Sequence, residues 1–195
     1  MHPRCRCVIV YRESSRSHGR GLAAGNANIT TANGNPPKLI GKIEVVTSAT
    51  IQKTLEYYEA QIVQAPVEHA VIVTKTGEIY HCSGDVHDIP IRYFKQLATR
   101  LEGAHVTHNH PPNAVENEHT FSDDDFKLFK NFGFARLRGV DEKFIYELNR
   151  NPLDNELASR DLVEIYNLGL NFEDYHTAIM LKALNEGFGY WRRER

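Results

Sequence analysis

At 195 residues, with 41% hydrophobic and 25% charged side chains, the chain has the composition of a soluble globular protein and the length for one ordinary domain with appended segments. A formal net charge of -2 lacks the basic excess of most nucleic-acid-binding domains, so nucleic acid is not indicated, though a neutral total leaves room for a local patch. No apolar run approaches the roughly 18 residues of a membrane helix, no signal-peptide core opens the chain, and three cysteines make no disulfide framework, so a soluble protein in a reducing compartment is expected.

In chain order, residues 1–11 contain a β-prone run over 7–11, and residues 12–40, rich in Gly, Asn, Ser and Pro without periodicity, read as a flexible linker. The main domain is expected over 41–150. Its first element is a helix over 48–65, capped by Ser48, with Ile51, Leu55, Tyr58 and Ile62 at helical spacing and Pro66 ending it. The runs 70–74 and 78–82 around Lys75-Thr76-Gly77 predict a β-hairpin. A helix over 90–101 places Tyr93, Leu97 and Leu101 on one face, and a strand over 104–108 runs straight into His110-Pro111-Pro112. After a polar loop, Ser122 opens a helix to 131, and 134–140 and 143–148 predict two strands around Asp141-Glu142. Residues 151–195 read as a helical C-terminal extension, with helices over 157–166 and 173–186, closed by Tyr190-Trp191-Arg192-Arg193. The order predicts an α/β fold with a mixed, largely antiparallel sheet flanked by helices.

Ten histidines are many for this length, and their spacing carries the chemistry. Alternate side chains of a strand share a face, so His108 and His110 can present two imidazoles to one metal ion while Asn109 faces away. A catalytic zinc site takes three protein ligands and keeps its fourth position open. Asp125, on the first turn of the helix opened by Ser122, is the candidate third ligand. Glu116, Glu118 and His119 in the preceding loop are alternatives. Water activated by such a metal still needs a base. Glu68, immediately before the 70–74 strand, is placed to serve, and the Ser122 hydroxyl could support an oxyanion. Ser122 and Asp125 also spell a capping box, S-x-x-[DE] ahead of Phe126 and Leu128, and the two roles are compatible.

His108-Asn109-His110-Pro111, then Ser122-Asp123-Asp124-Asp125, with a glutamate on an earlier strand, resembles the JAB/MPN (JAMM) zinc metalloprotease signature. The His-Asn-His-Pro wording and the position of Glu68-His69 are most similar to its RadC-type bacterial branch. The similarity spans about residues 67–148. It implies a cytidine-deaminase-like architecture, Zn2+ held by His108, His110 and Asp125, base catalysis by Glu68, oxyanion support by Ser122, and a peptide or protein substrate cleaved at a peptide or isopeptide bond. One departure stands out: the eleven residues 111–121 between His110 and Ser122 exceed the family spacing.

A shorter resemblance lies at the start, where His2-Pro3-Arg4-Cys5-Arg6-Cys7 is similar to the H-P-x-C-x-C ending of Mu-like phage head-morphogenesis (minor capsid) proteins. It implies capsid or portal components as partners and a bacterial cytoplasmic or virion-associated location. Two other functions follow from these resemblances: a non-catalytic assembly protein that uses a JAB-like domain for binding, and a toxin or effector domain acting on host proteins.

Overall fold

Two apolar layers, one on each face of a sheet, are what the alternating strands of this chain can bury. The computed structural model describes residues 34–112, 119–156 and 175–195, together with the backbone of a two-residue strand, β1 (Ala23–Ala24). Seven full strands form one mixed sheet: β2 (Lys38–Lys42), β3 (His69–Val73), β4 (Glu78–Ser83), β5 (His105–Asn109), β6 (Arg136–Val140), β7 (Phe144–Asn149) and β8 (Gly189–Glu194). Their spatial order is β2-β4-β3-β5-β6-β7-β8, with β1 at the edge beside β2. Every pairing is antiparallel except β5 with β6. The mixed α/β class expected from the element order is therefore present.

One face is covered by α1 (Ser48–Ile62), whose Ile51, Leu55 and Ile62 pack on Val71, Val73, Ile79 and Val140. The other carries α2 (Ile91–Gln96), α3 (Ala98–Leu101), α4 (Asp123–Asn131) and α5 (Tyr175–Asn185). Phe94, Leu101, Phe126, Phe129 and Met180 from these helices bury against Ala70, Ile72, Val106 and Leu137 of the strands. The period-2 alternation of β5 assigns its side chains accordingly. Val106 joins the multi-helix core, while Thr107 donates a 2.8 Å hydrogen bond to Glu59 of α1 on the other side. The β3–β4 turn depends on Gly77 (φ +86°), because a Cβ there would stand 2.5 Å from the Ile43 carbonyl oxygen.

Several elements differ from their sequence expectations. Thr47, not Ser48, caps α1: its hydroxyl accepts the Thr50 amide at 3.1 Å and Thr50 Oγ1 accepts the Thr47 amide at 2.9 Å. The single helix expected over 90–101 is two short ones, broken at Leu97 (φ -104°, ψ 6°). Strand β2 begins inside the segment whose composition reads as linker, and Asn35 just before it bonds Ser83 Oγ through its side chain at 3.0 Å.

The larger correction concerns the C-terminal extension, which is not helical throughout. Residues 189–194 add strand β8 to β7 in register, Tyr190 opposite Leu148 and Arg192 opposite Tyr146, with Tyr190 fully buried. Three arginines in the last four residues look like a solvated terminus, but alternation lets Tyr190 face the core while Trp191 lies on the other face with the guanidinium groups of Arg138 and Arg193 stacked over its ring. The segment 1–11, the expected helix over 157–166 and most of the expected linker lie outside the described residues.

A buried ion pair ties α1 to the sheet. Arg138 Nη2 donates to Glu59 Oε2 at 3.0 Å, and Arg138 Nε lies 2.8 Å from Oε1 without hydrogen-bond alignment. Burial pushes the Glu59 carboxyl above the usual range, and Arg138 and Thr107 pull it back. Removing Glu59 leaves the buried Arg138 guanidinium with the more distant Glu147 carboxylate, 3.9 Å away, so Glu59→Ala should cost toward the lower end of about 3–5 kcal/mol in urea unfolding. Glu59→Leu combined with Arg138→Met should cost less than Glu59→Ala alone. Equal stability of Glu59→Ala and the parent would show that the pair is not holding α1.

Candidate metal centre

The histidine pair sits where β5 leaves the sheet. Ala70 of β3 lies opposite His108 in the antiparallel ladder, and Gly139 of β6 lies opposite it in the parallel one. The ladder continues one residue beyond the strand, because the His110 amide donates to the Val140 carbonyl at 2.9 Å. His108 and His110 therefore keep their common face. Their Nε2 atoms are 3.1 Å apart, and His108 Nε2 is 3.4 Å from Asp125 Oδ1. All three residues are buried, and their ligand atoms lie within 4.8 Å of one another.

The 3.1 and 3.4 Å separations fit one ion. Zinc with ligands at roughly 2.0–2.1 Å in a tetrahedron has ligand–ligand edges of about 3.3–3.4 Å. Two neutral imidazoles and a carboxylate are also a donor set that zinc accepts. His108, His110 and Asp125 thus form a group able to hold a metal ion.

The two sequence roles of Ser122 and Asp125 coexist because the carboxylate divides its oxygens. Asp125 Oδ2 accepts the Ser122 amide at 3.0 Å and the Ser122 hydroxyl at 2.8 Å, while Ser122 Oγ accepts the Asp125 amide at 3.1 Å. That is the capping box at the start of α4. Oδ1 is the oxygen turned toward His108. In this geometry the Ser122 proton is committed to Asp125. Of the loop alternatives, His119 directs Nδ1 to Asp141 Oδ2 at 2.9 Å, and Glu116 and Glu118 lie outside the described residues.

Glu68 is completely buried and lines the same cleft as His108 and Asp125. The backbone around it is pinned on both sides. Its own amide donates to the Asp85 carbonyl and its carbonyl accepts the Gly84 amide, each at 2.9 Å. Asn109, the residue between the two histidines, adds a clamp from β5. Its Oδ1 accepts the His69 amide at 3.0 Å and its Nδ2 donates to the Val67 carbonyl at 3.4 Å. The side chain that faces away from the metal group thus sets the register of the strand that carries Glu68. His69 stacks on His81 with Nδ1 and Nε2 3.0 Å apart, and burial holds His81 neutral, its pKa lowered to about 4.

Sequence reasoning missed two residues besides Asn109. His110 Nδ1 lies 2.5 Å from the Tyr146 hydroxyl, and the ring of Tyr146 is fully buried on β7. An imidazole that keeps Nε2 as its lone-pair donor carries its proton on Nδ1, and that N–H then donates to the phenol oxygen. Tyr146 reaches His110 by crossing β6 over Gly139, where a Cβ would stand 2.1 Å from the ring. A glycine inside a strand is the one sequence trace of that close approach.

Compared with family models, curated proteins and solved structures, the chain matches none of them. Among the described residues no helix is long and apolar enough to cross a membrane.

Loss of the phenol should loosen the histidine without removing it. Tyr146→Phe is expected to weaken zinc binding by about 10–100-fold in chelator competition. Gly139→Ala should do the same and also lower the melting temperature, because the displaced ring belongs to the core. Unchanged zinc affinity in both variants would exclude the orienting role. For the clamp, Asn109→Ala should accelerate hydrogen exchange at the His69 amide while zinc stoichiometry stays at one per chain, and unaltered exchange would count against it.

Proposed function

We propose that this chain is a zinc-dependent hydrolase of the JAB/MPN type that cleaves an amide bond in a peptide or protein. One observation carries the reading: a buried carboxylate, Glu68, lines one cleft with His108 and Asp125, two members of a His-His-Asp group of metal-ligand geometry. An isolated pair of histidines at a strand end would need neither. The choice of zinc rests on the donor set, and the choice of an amide rests on the sequence resemblance.

His108, His110 and Asp125 would hold the ion, which when bound supplies Lewis acidity that brings the pKa of a water close to neutral and polarises a carbonyl. Glu68 is the proton carrier. Its carboxylate takes the proton of the attacking water and delivers it to the departing nitrogen, which must be protonated before the C–N bond breaks. Fixed backbone on either side of Glu68 holds the root of that side chain in place. Ser122 acts here as a positioning residue, orienting Asp125 through Oδ2, and supports an oxyanion only if it releases that oxygen. Tyr146 positions His110 in the same sense. Apolar neighbours Ala70 and Val106 lower the local dielectric and strengthen each of these interactions.

The capsid-associated reading has no support beyond residues 2–7, which lie outside the described residues.

Conservative replacement of the base separates chemistry from metal binding. Glu68→Gln should retain one zinc per chain by elemental analysis and lose hydrolysis of a quenched peptide library by about 10²–10⁴-fold, the usual worth of a general base. His108→Ala and His110→Ala should instead lose the zinc. Hydrolysis undiminished in Glu68→Gln would refute the assigned role.

A further inference from the structure

His108 and Asp125 of the metal group make up only part of the lining of their cleft. The space, about 390 Å³, lies between the loop before α2, α2 itself and α4. Its floor is the sheet face of Ala70, Val106 and Leu137, and Ile89, Phe94 and Leu128 form walls. Protein interiors are otherwise close-packed, so an unfilled volume of this size along an apolar floor has the dimensions of a ligand site rather than a packing defect. Ile91, also lining it, leaves 53% of its surface exposed.

Direction and polarity narrow what fits. Val106 lies two residues before His108 on the same strand face, so the apolar floor starts at the metal group and extends inward about 7 Å. That depth suits a side chain of three to five heavy atoms or a single ring attached to a carbonyl held at the metal end. Apart from Glu68, His108 and Asp125, the charged lining groups are Asp88, Asp124 and Lys127, all exposed and hence at the mouth. Lys127 is already paired with Asp124 at 2.7 Å. A charged side chain entering the deep part would lose its water, and the buried carboxylates there, Glu68 and Asp125, are committed to proton transfer and to the metal.

We infer that this cleft is a specificity pocket for an apolar side chain of the leucine, methionine or phenylalanine type, carried by the substrate residue adjoining the scissile amide. The inference rests on the hydrolase reading above, and it assigns the residue class that the resemblance leaves open.

Hydroxamates test it without turnover. The zinc-loaded full chain is titrated calorimetrically with acetohydroxamate, which engages only the metal, and with the hydroxamates of N-acetyl-leucine, N-acetyl-aspartate and N-acetyl-lysine. The leucine compound should bind at least about tenfold more tightly than the two charged ones, the discrimination an apolar pocket provides. Ile91→Glu, at a half-exposed position, should reduce the ratio of leucine to acetohydroxamate affinities. Acetohydroxamate binding with equal affinities for the three amino-acid compounds overturns the pocket and leaves the metal centre standing. Failure of acetohydroxamate to bind the zinc-loaded chain overturns the hydrolase reading and the pocket with it.

Discussion

Register between β3 and β5 is the constraint on which the candidate site depends. Slipping an antiparallel pair by one residue turns every side chain to the opposite face, so a single slip would send Glu68 and the histidines to different sides of the sheet. Asn109 opposes that slip. Its carboxamide holds the backbone leading into β3 on both sides of Glu68, from a buried position where losing either hydrogen bond is costly. The metal-ligating strand and the base-bearing strand are thus locked through the one residue of the His-Asn-His triplet that cannot touch the metal.

The same economy of atoms recurs at the third ligand. Asp125 stabilises the start of α4 with one oxygen and turns the other toward His108, so the local helix signal and the metal geometry reinforce each other. Three acidic residues in the first turn of α4 also suit the positive end of the helix dipole. Gly139 and Tyr146 complete the arrangement from the far side. Only a residue without a Cβ lets the tyrosine ring cross β6 and meet His110.

The opposite face of the sheet is built on different physics. There Glu59 and Arg138 are both buried, and their pairing with Thr107 satisfies groups that α1 would otherwise strand in an apolar layer. Alternation along β5 is what separates the two chemistries: Thr107 serves the ion pair and its neighbours Val106 and His108 serve the cleft.

Local signals in the sequence were enough for the hairpin, for the strand leading into His108, for α4 with its Ser122 cap, and for the shared face of His108 and His110, because period-2 alternation and a capping box act over a few residues, while the choice of Asp125 over the loop residues Glu116, Glu118 and His119 stayed open. The same local reasoning named Ser48 instead of Thr47 as the cap of α1, since neighbouring hydroxyl residues differ only in where the backbone leaves the helix. It also read a helical extension over residues 151–195, whose last residues pair as β8. Strand pairing across more than forty residues and the clamp from Asn109 to Val67 and His69 have no short-range signature, and the crossing of Tyr146 over Gly139 leaves only a glycine inside a strand. By itself the sequence determined which side chains could ligate a metal and on which local elements they stand. Tertiary structure alone decided that they converge beside a buried Glu68 and an apolar cleft, because burial, register and cavity shape arise from contacts between distant segments.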